Sequence, residues 1–201
     1  MRERFKSVDE FGVTTIEFAG FGGAFAALRL PFGRDPKSEF CTEDVSDSYY
    51  DVDRNISRVS LCVTDERDIE LMSTLVKRGD EHSKVLRGVM VWCEINAPRY
   101  FHTELDTYRI GCERLGSEST MHIQGRGLPT EELVRLKESL TESTMQRRVW
   151  MFSYQTLRRI FIQRKNHRLP QWRYFCRWIK SLPYADELIL VGLDDTNVEL
   201  L

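Results

Sequence analysis

Two stretches of this 201-residue chain concentrate side chains able to do chemistry. Residues 96–122 read N-A-P-R-Y-F-H-T-E-L-D-T-Y-R-I-G-C-E-R-L-G-S-E-S-T-M-H, and residues 163–172 read Q-R-K-N-H-R-L-P-Q-W. Each reads as a helix leading into a polar, cation-bearing loop. Arg109 and Arg164 are the best-placed guanidinium groups for a phosphate, because the planar Arg fork offers paired donors that a Lys ammonium lacks. Ser117 and Gln171 could give neutral hydrogen bonds to a ligand. Cys112 stands close after Arg109, and a neighbouring cation lowers a thiol pKa and raises its thiolate fraction. Each residue also has a plainer reading. Cys112 would be a small buried residue at a helix end, and the two arginines would pair with acidic segments of the same chain.

The elements that must position these groups follow from pattern. Residues 13–19 (V-T-T-I-E-F-A) read as a strand rich in β-branched residues. The glycines at 20, 22 and 23 are not spaced as a phosphate loop, so a turn into a short helix near 24–28 is the better reading. Residues 34–54 are acidic and polar and read as a surface loop or lid. Residues 65–78 carry Ile69, Met72, Leu75 and Val76 at helical spacing, with Gly79 placed to stop the helix. Residues 85–95 read as a strand. Asn96 would cap the next helix, whose apolar face holds Tyr100, Phe101, Leu105 and Tyr108. Gly125 and Gly127 mark a loop, and Thr130 caps a helix with Glu131 and Glu132 in its first turn. Ser143 and Gln146 form a capping-box pattern that would open a long helix to about residue 165. Pro170 starts a helix with Trp172, Phe175, Cys176 and Ile179 on one stripe. Residues 188–193 read as a final strand. The expected architecture is a single α+β domain.

Composition narrows the function classes. Apolar residues make up 41% and charged residues 30%, which suits one folded domain with a real core. No apolar run approaches the ~20 residues of a membrane span. The N-terminal decapeptide M-R-E-R-F-K-S-V-D-E lacks an apolar signal core, and the expectation is a cytoplasmic protein. The five cysteines (41, 62, 93, 112 and 176) and four histidines are scattered, which argues against a disulfide scaffold and gives no metal motif. The net charge is −2, yet residues 146–180 hold ten Lys or Arg and no Asp or Glu. Such a block points either to an anionic ligand or to pairing with the acidic remainder.

The two chemical stretches, with what precedes them, resemble the flavin-dependent thymidylate synthases. A-A-L-R-L-P-F (26–32) stands where that family has A-x-R-x-S-F. L-V-K-R-G-D-E-H-S-K-V-L-R (75–87) stands at its H-G-H-x-S/T-P-F-E-H, with Gly79, His82 and Ser83 retained and P-F-E-H lost. In the R-H-R-x-x-S-x-N-E-x-S-x-R-Y signature, Arg109 matches the last Arg of R-H-R. Tyr108 replaces the His and Thr107 the first Arg. Cys112 takes the first Ser and Ser117 matches the later one, while Arg114-Leu115 and Ser119-Thr120 replace N-E and R-Y. In the second signature Leu157, Arg164, His167, Gln171 and Trp172 find counterparts, and Gln155 replaces its first Arg.

The resemblance implies a mostly antiparallel central sheet with long helices, and a homotetramer with sites between subunits. It implies FAD held near His82, Ser83, Tyr108, Arg109 and His167. It implies dUMP, or a related pyrimidine deoxynucleotide, near Glu104, Ser117, Glu118, Arg164 and Gln171. Cys112 and Arg109 would be catalytic. Methylenetetrahydrofolate would give the one-carbon unit through reduced flavin, with NADPH as reductant. Losing the cations at 107 and 155 would cost roughly 1.5–3 kcal/mol per charge-assisted contact, which favours a second reading, a nucleotide-binding or sequestering relative without flavin. A third reading is a single-stranded nucleic-acid binder using the basic block with Trp172, Tyr174 and Trp178 for stacking. The helical core spacing of those aromatics disfavours it.

Overall fold

The computed structural model describes residues 6–32, 48–50, 57–59, 66–194 and 196–198. In chain order its elements are α1 (Lys6–Asp9), β1 (Gly12–Ala19), α2 (Phe21–Arg29), β2 (Ser48–Tyr50), β3 (Ser57–Val59) and α3 (Glu66–Lys77). A 3-10 turn, Lys84–Arg87, then leads to β4 (Met90–Pro98), α4 (Arg99–Leu105), β5 (Cys112–Ser117), α5 (Thr120–Ile123) and α6 (Thr130–Ser139). The chain continues through β6 (Met145–Ser153), α7 (Tyr154–Arg164) and α8 (Pro170–Lys180) to a π-helical turn, Ala185–Ile189. The expected loop at 34–54 lies largely outside the described residues; Ser48–Tyr50 within it pairs antiparallel with Ser57–Val59.

The domain is α+β, built on a four-stranded antiparallel sheet in the order β1-β4-β6-β5. β4 and β6 form its centre, pairing from Met90 opposite Ser153 to Pro98 opposite Met145. Side chains alternate across a strand, and β4 follows this from Met90 to Ala97: Val91, Cys93, Ile95 and Ala97 are fully buried while Met90, Trp92, Glu94 and Asn96 are half-covered. The buried face carries α4, α7 and α8 in one core with Phe101, Leu105, Tyr154, Leu157, Phe161, Trp172 and Phe175. Arg29 donates from Nε to Asp68 at 3.0 Å, tying α2 to α3.

Antiparallel pairing puts the two site helices at opposite ends of the sheet. β4 runs into α4 at Pro98, and β6 runs into α7 at Ser153. Seven and eleven residues at 1.5 Å rise span about 10 and 16 Å, against about 30 Å for a nine-residue strand. The helices therefore run toward each other over the same face, and their C-terminal ends meet.

Several sequence expectations need correction. The segment from Ser143 is a strand and then a helix, because the run Val149–Phe152 is satisfied by ladder bonds to β4; the cap is Ser153, whose Oγ accepts from Thr156 N–H at 3.3 Å. Asn96 lies inside β4, and Pro98 holds the N-cap position of α4. The strand expected at 85–95 begins only at Met90, after the 3-10 turn, and runs to Pro98. Thr130 is the first helical residue of α6, and Pro129 precedes it at the cap. Residues 188–193 are no strand: Leu188, Ile189 and Leu190 are buried through a π-helical turn against the helices. Short apolar runs of this kind do not distinguish strand from buried helix by periodicity.

His102 of α4 is wholly buried. Its Nε2–H donates to the Gln146 carbonyl at 2.9 Å, while Nδ1 is buried without a partner among the described residues. Burial holds its pKa down at about 4, against 6.5 for a free imidazole. The unfolded chain thus binds the proton more readily than the folded one. Stability is full above about pH 6.5 and declines as pH falls toward 4, by about 3 kcal/mol in total. Urea titrations at pH 7 and 4.5 should show this loss in the wild type and a shallower one in His102→Met.

Candidate functional site

The meeting point of α4 and α7 is a hub around one carboxylate. Glu104 Oε2 accepts from Trp172 Nε1 at 2.7 Å and from Arg164 Nη1 at 3.2 Å. Arg164 also donates from Nε to the Tyr108 hydroxyl at 2.8 Å, and that hydroxyl donates to Gln163 Oε1 at 2.9 Å. The guanidinium lies over two rings, 4.5 Å from the Trp172 centroid and 5.6 Å from that of Tyr108, a cation–π arrangement. His167 Nδ1 accepts from the Leu169 N–H at 3.2 Å, which leaves the proton on Nε2, 3.9 Å from Glu104. Burial, then the Arg164 charge, lowers the His167 pKa. Gln171 is buried and donates to the Tyr100 hydroxyl at 2.6 Å.

Glu104, Tyr108, Arg164 and His167 meet in this hub, where Arg164 serves Glu104, while Gln171 bonds to Tyr100. Glu104 is half-buried at the centre of the hub. Other cations of the basic block are paired internally as well. Arg147 pairs with Glu118, Arg148 with Asp106, and Arg159 with Asp80. This is the intramolecular pairing reading, and with Arg164 on Glu104 it neutralises four of the block's ten cations.

Arg109 and Cys112 flank a tight turn seated on the start of α7. Gly111 has φ +74°, its carbonyl accepts from Ser153 N–H at 2.7 Å, and the Ile110 carbonyl accepts from Thr156 Oγ1 at 2.6 Å. Arg109 is exposed and has no partner among the described residues. The Cys112 thiol is buried and donates to the Tyr108 carbonyl. Its pKa is pushed up to about 11, first by burial and then by Glu113 and Asp106. The expected thiolate is therefore corrected: Cys112 is a protonated thiol at neutral pH, because desolvation outweighs an arginine that points into water.

The loop expected after Cys112 is strand β5, which forms an edge of the sheet. Cys112 pairs with Phe152 and Ser117 with Arg148. Five residues of extended chain separate them by roughly 15 Å, so they do not share one pocket. Ser117 is exposed. Glu118 is gripped by Arg147 through the backbone N–H at 2.9 Å and Nε at 2.7 Å, and these bonds lower its pKa against burial, which raises it.

His82 and Ser83 occupy the turn before the 3-10 segment. His82 is exposed and Ser83 buried. This turn is pinned to α7 by Arg159 Nη2 donating to Asp80 at 2.6 Å. Gln155, where the resemblance expects Arg, is buried and accepts from Arg87 Nε at 2.8 Å. Thr107, the other lost cation, closes α4 by donating to the Glu104 carbonyl at 2.7 Å.

A cavity of about 560 Å3 opens beside Glu118. It is lined by Arg99 at the start of α4, Thr120 and Ile123 of α5, Lys137 of α6, and Gln146 and Arg148 of β6. Sequence reasoning missed Arg99 and Lys137 because no linear spacing links positions 99, 137 and 148. Among the described residues, no helix is long and apolar enough to cross a membrane, and no cluster of His, Cys, Asp or Glu could hold a metal ion.

No family model and no curated protein matches the chain. Solved structures do. Thymidylate synthase X (ThyX) from Helicobacter pylori, determined with FAD and dUMP, superposes on 92% of this chain and 100% of its own, with TM-score 0.60 and 15% identity. The chain has a ThyX-like fold. A second structure, flavin-dependent thymidylate synthase ThyX from Helicobacter pylori complexed with FAD and dUMP, covers 88% of this chain and 97% of its own, with TM-score 0.59 and 15% identity. The ThyX-like fold accounts for the α+β sheet and for the convergence of α4 and α7 on one face.

Two substitutions test these positions. A Cβ on Gly111 would lie 2.5 Å from both Ser153 Oγ and Thr156 Oγ1, at a φ that side chains resist. Gly111→Ala should cost about 1–3 kcal/mol, whereas Gly116→Ala, with open space around it, should be near neutral by thermal unfolding. Glu104→Gln leaves Arg164 half-buried without its carboxylate. It should destabilise by about 1–3 kcal/mol and shift the Trp172 fluorescence.

Proposed function

We propose that this chain binds a pyrimidine deoxynucleotide on its ThyX-like fold and does so without flavin. The observation that carries the nucleotide reading is the fold itself: two structures of this architecture, both of Helicobacter pylori ThyX and superposing over nearly their whole length, were solved with FAD and dUMP. Exposed Ser117 and the cationic cavity beside Glu118 supply hydrogen bonds and positive charge for such a ligand. The protein would act in the cytoplasm as a homo-oligomer.

The residues present do not fit a flavin within one copy. Of the five side chains assigned to it, Ser83 is buried, the Tyr108 hydroxyl is engaged by Gln163 and Arg164, and His167 is held between the Leu169 N–H and Glu104. His82 and Arg109 remain exposed, and neither lines the cavity. No step of the proposed function passes through the cofactor. The exposure of His82 and Arg109 supports a second reading, in which a neighbouring copy completes the cofactor site. There the protein would transfer a one-carbon unit from methylenetetrahydrofolate to dUMP through FAD, with NADPH as reductant. Stacking on single-stranded nucleic acid has little support: Trp172 is fully buried, Trp178 donates to Thr15 Oγ1 at 2.9 Å, and Tyr174 packs on Phe11.

The purified protein, loaded with FAD and desalted, should show no flavin absorbance, while calorimetry should detect dUMP binding that weakens as salt rises. Retained flavin together with turnover of dUMP would replace this reading with the second. Failure to bind any deoxynucleotide would overturn both.

A further inference from the structure

We infer that the cavity between α4, α5, α6 and β6 holds the phosphate of a mononucleotide, through Arg99, Lys137 and Arg148. The ligand class rests on the function proposed above; the location and the residues do not, and no motif of the resemblance includes these three positions.

The volume, about 560 Å3, lies within the range of ~300–1,000 Å3 typical of small-molecule sites. Its charge is unbalanced. Glu118 is the carboxylate in the lining, and both of its oxygens are already bonded by Arg147. Arg99 and Lys137 have no partner among the described residues. Arg148 is only 11% exposed, and Asp106 beside it also serves Arg114 at 3.1 Å, so two guanidinium groups share one carboxylate. Within Arg148, Nε is bound to Gln146 and Nη1 to Asp106, which leaves Nη2 for a ligand. Three cations from three separate elements line a cavity whose own carboxylate is already bonded by Arg147, and such a set matches a dianionic phosphate better than a monoanionic carboxylate.

Part of the wall is apolar. Ile123, Leu140 and Met145 face the same space, which suits the body of a nucleoside rather than a free ion. Thr120 and Thr144 add hydroxyls for neutral hydrogen bonds. Ser117 stands at the end of β5, two residues before the α5 cap Ser119, at the edge of this wall.

The test is calorimetric titration of the full chain at low salt with dUMP, deoxyuridine and inorganic phosphate. The proteins are the wild type, Arg99→Gln, Lys137→Gln and Arg126→Gln, the last removing an exposed charge that does not line the cavity. Arg99→Gln and Lys137→Gln should each weaken dUMP binding about 10- to 100-fold with unchanged circular dichroism, and Arg126→Gln should not. Deoxyuridine should bind weakly and equally to all four. Equal dUMP affinity in all four proteins would overturn the inference and leave the nucleotide reading standing. Binding of inorganic phosphate but not dUMP, lost in the two cavity variants, would uphold the site and overturn the pyrimidine reading. Binding of neither would overturn both.

Discussion

The nine-residue pairing of β4 with β6 is the constraint on which everything else depends. Its alternation gives one face that is fully buried, and its antiparallel sense starts α4 and α7 at opposite ends of that face. Their combined length nearly matches the strand length, so their ends converge. Glu104, Arg164 and Trp172 meet there because the sheet sends two helices toward each other. A register slip of one residue would turn Val91, Cys93, Ile95 and Ala97 to the other face and dismantle the hub.

That hub changes the meaning of the residues in it. An arginine between two aromatic rings and a carboxylate is already neutralised and oriented, and binding an external phosphate there would require displacing Glu104. A charge-assisted bond of this kind contributes more than a neutral one, so the internal partner competes strongly. Cys112 follows the same logic. A cationic Arg109 stands three residues before it in sequence, but the groups that act on it are a carbonyl, Glu113 and Asp106. Local electrostatics is set by what the fold places nearby and by burial.

Positive charge without a carboxylate partner among the described residues is left at Arg99, which begins α4, and at Lys137 in the last turn of α6; with Arg148 of β6, already paired with Asp106, they line one cavity. The chain has a ThyX-like fold but uses different residues at several places where the resemblance expects arginine. At position 155 a buried glutamine accepts from Arg87 of the 3-10 turn. Fold and ligand chemistry can separate in this way because a site is a set of side chains mounted on a scaffold.

By itself the sequence determined the α+β class, β1, α2, α3, α8 and the burial of Trp172, Phe175, Cys176 and Ile179, because strongly periodic apolar patterns leave little choice of face. Through the two stretches that resemble the flavin-dependent thymidylate synthases it singled out Glu104, Arg164, His167 and Gln171, and the structure joins the first three in one hub. Only the tertiary structure decided that residues 145–153 are a strand, since ladder bonds to β4 outweigh the local capping pattern at Ser143. It alone placed Cys112 and Ser117 at opposite ends of an edge strand, and it alone assembled Arg99, Lys137 and Arg148. Those outcomes depend on pairing between segments far apart in the chain, and no local spacing encodes which carboxylate an arginine will find.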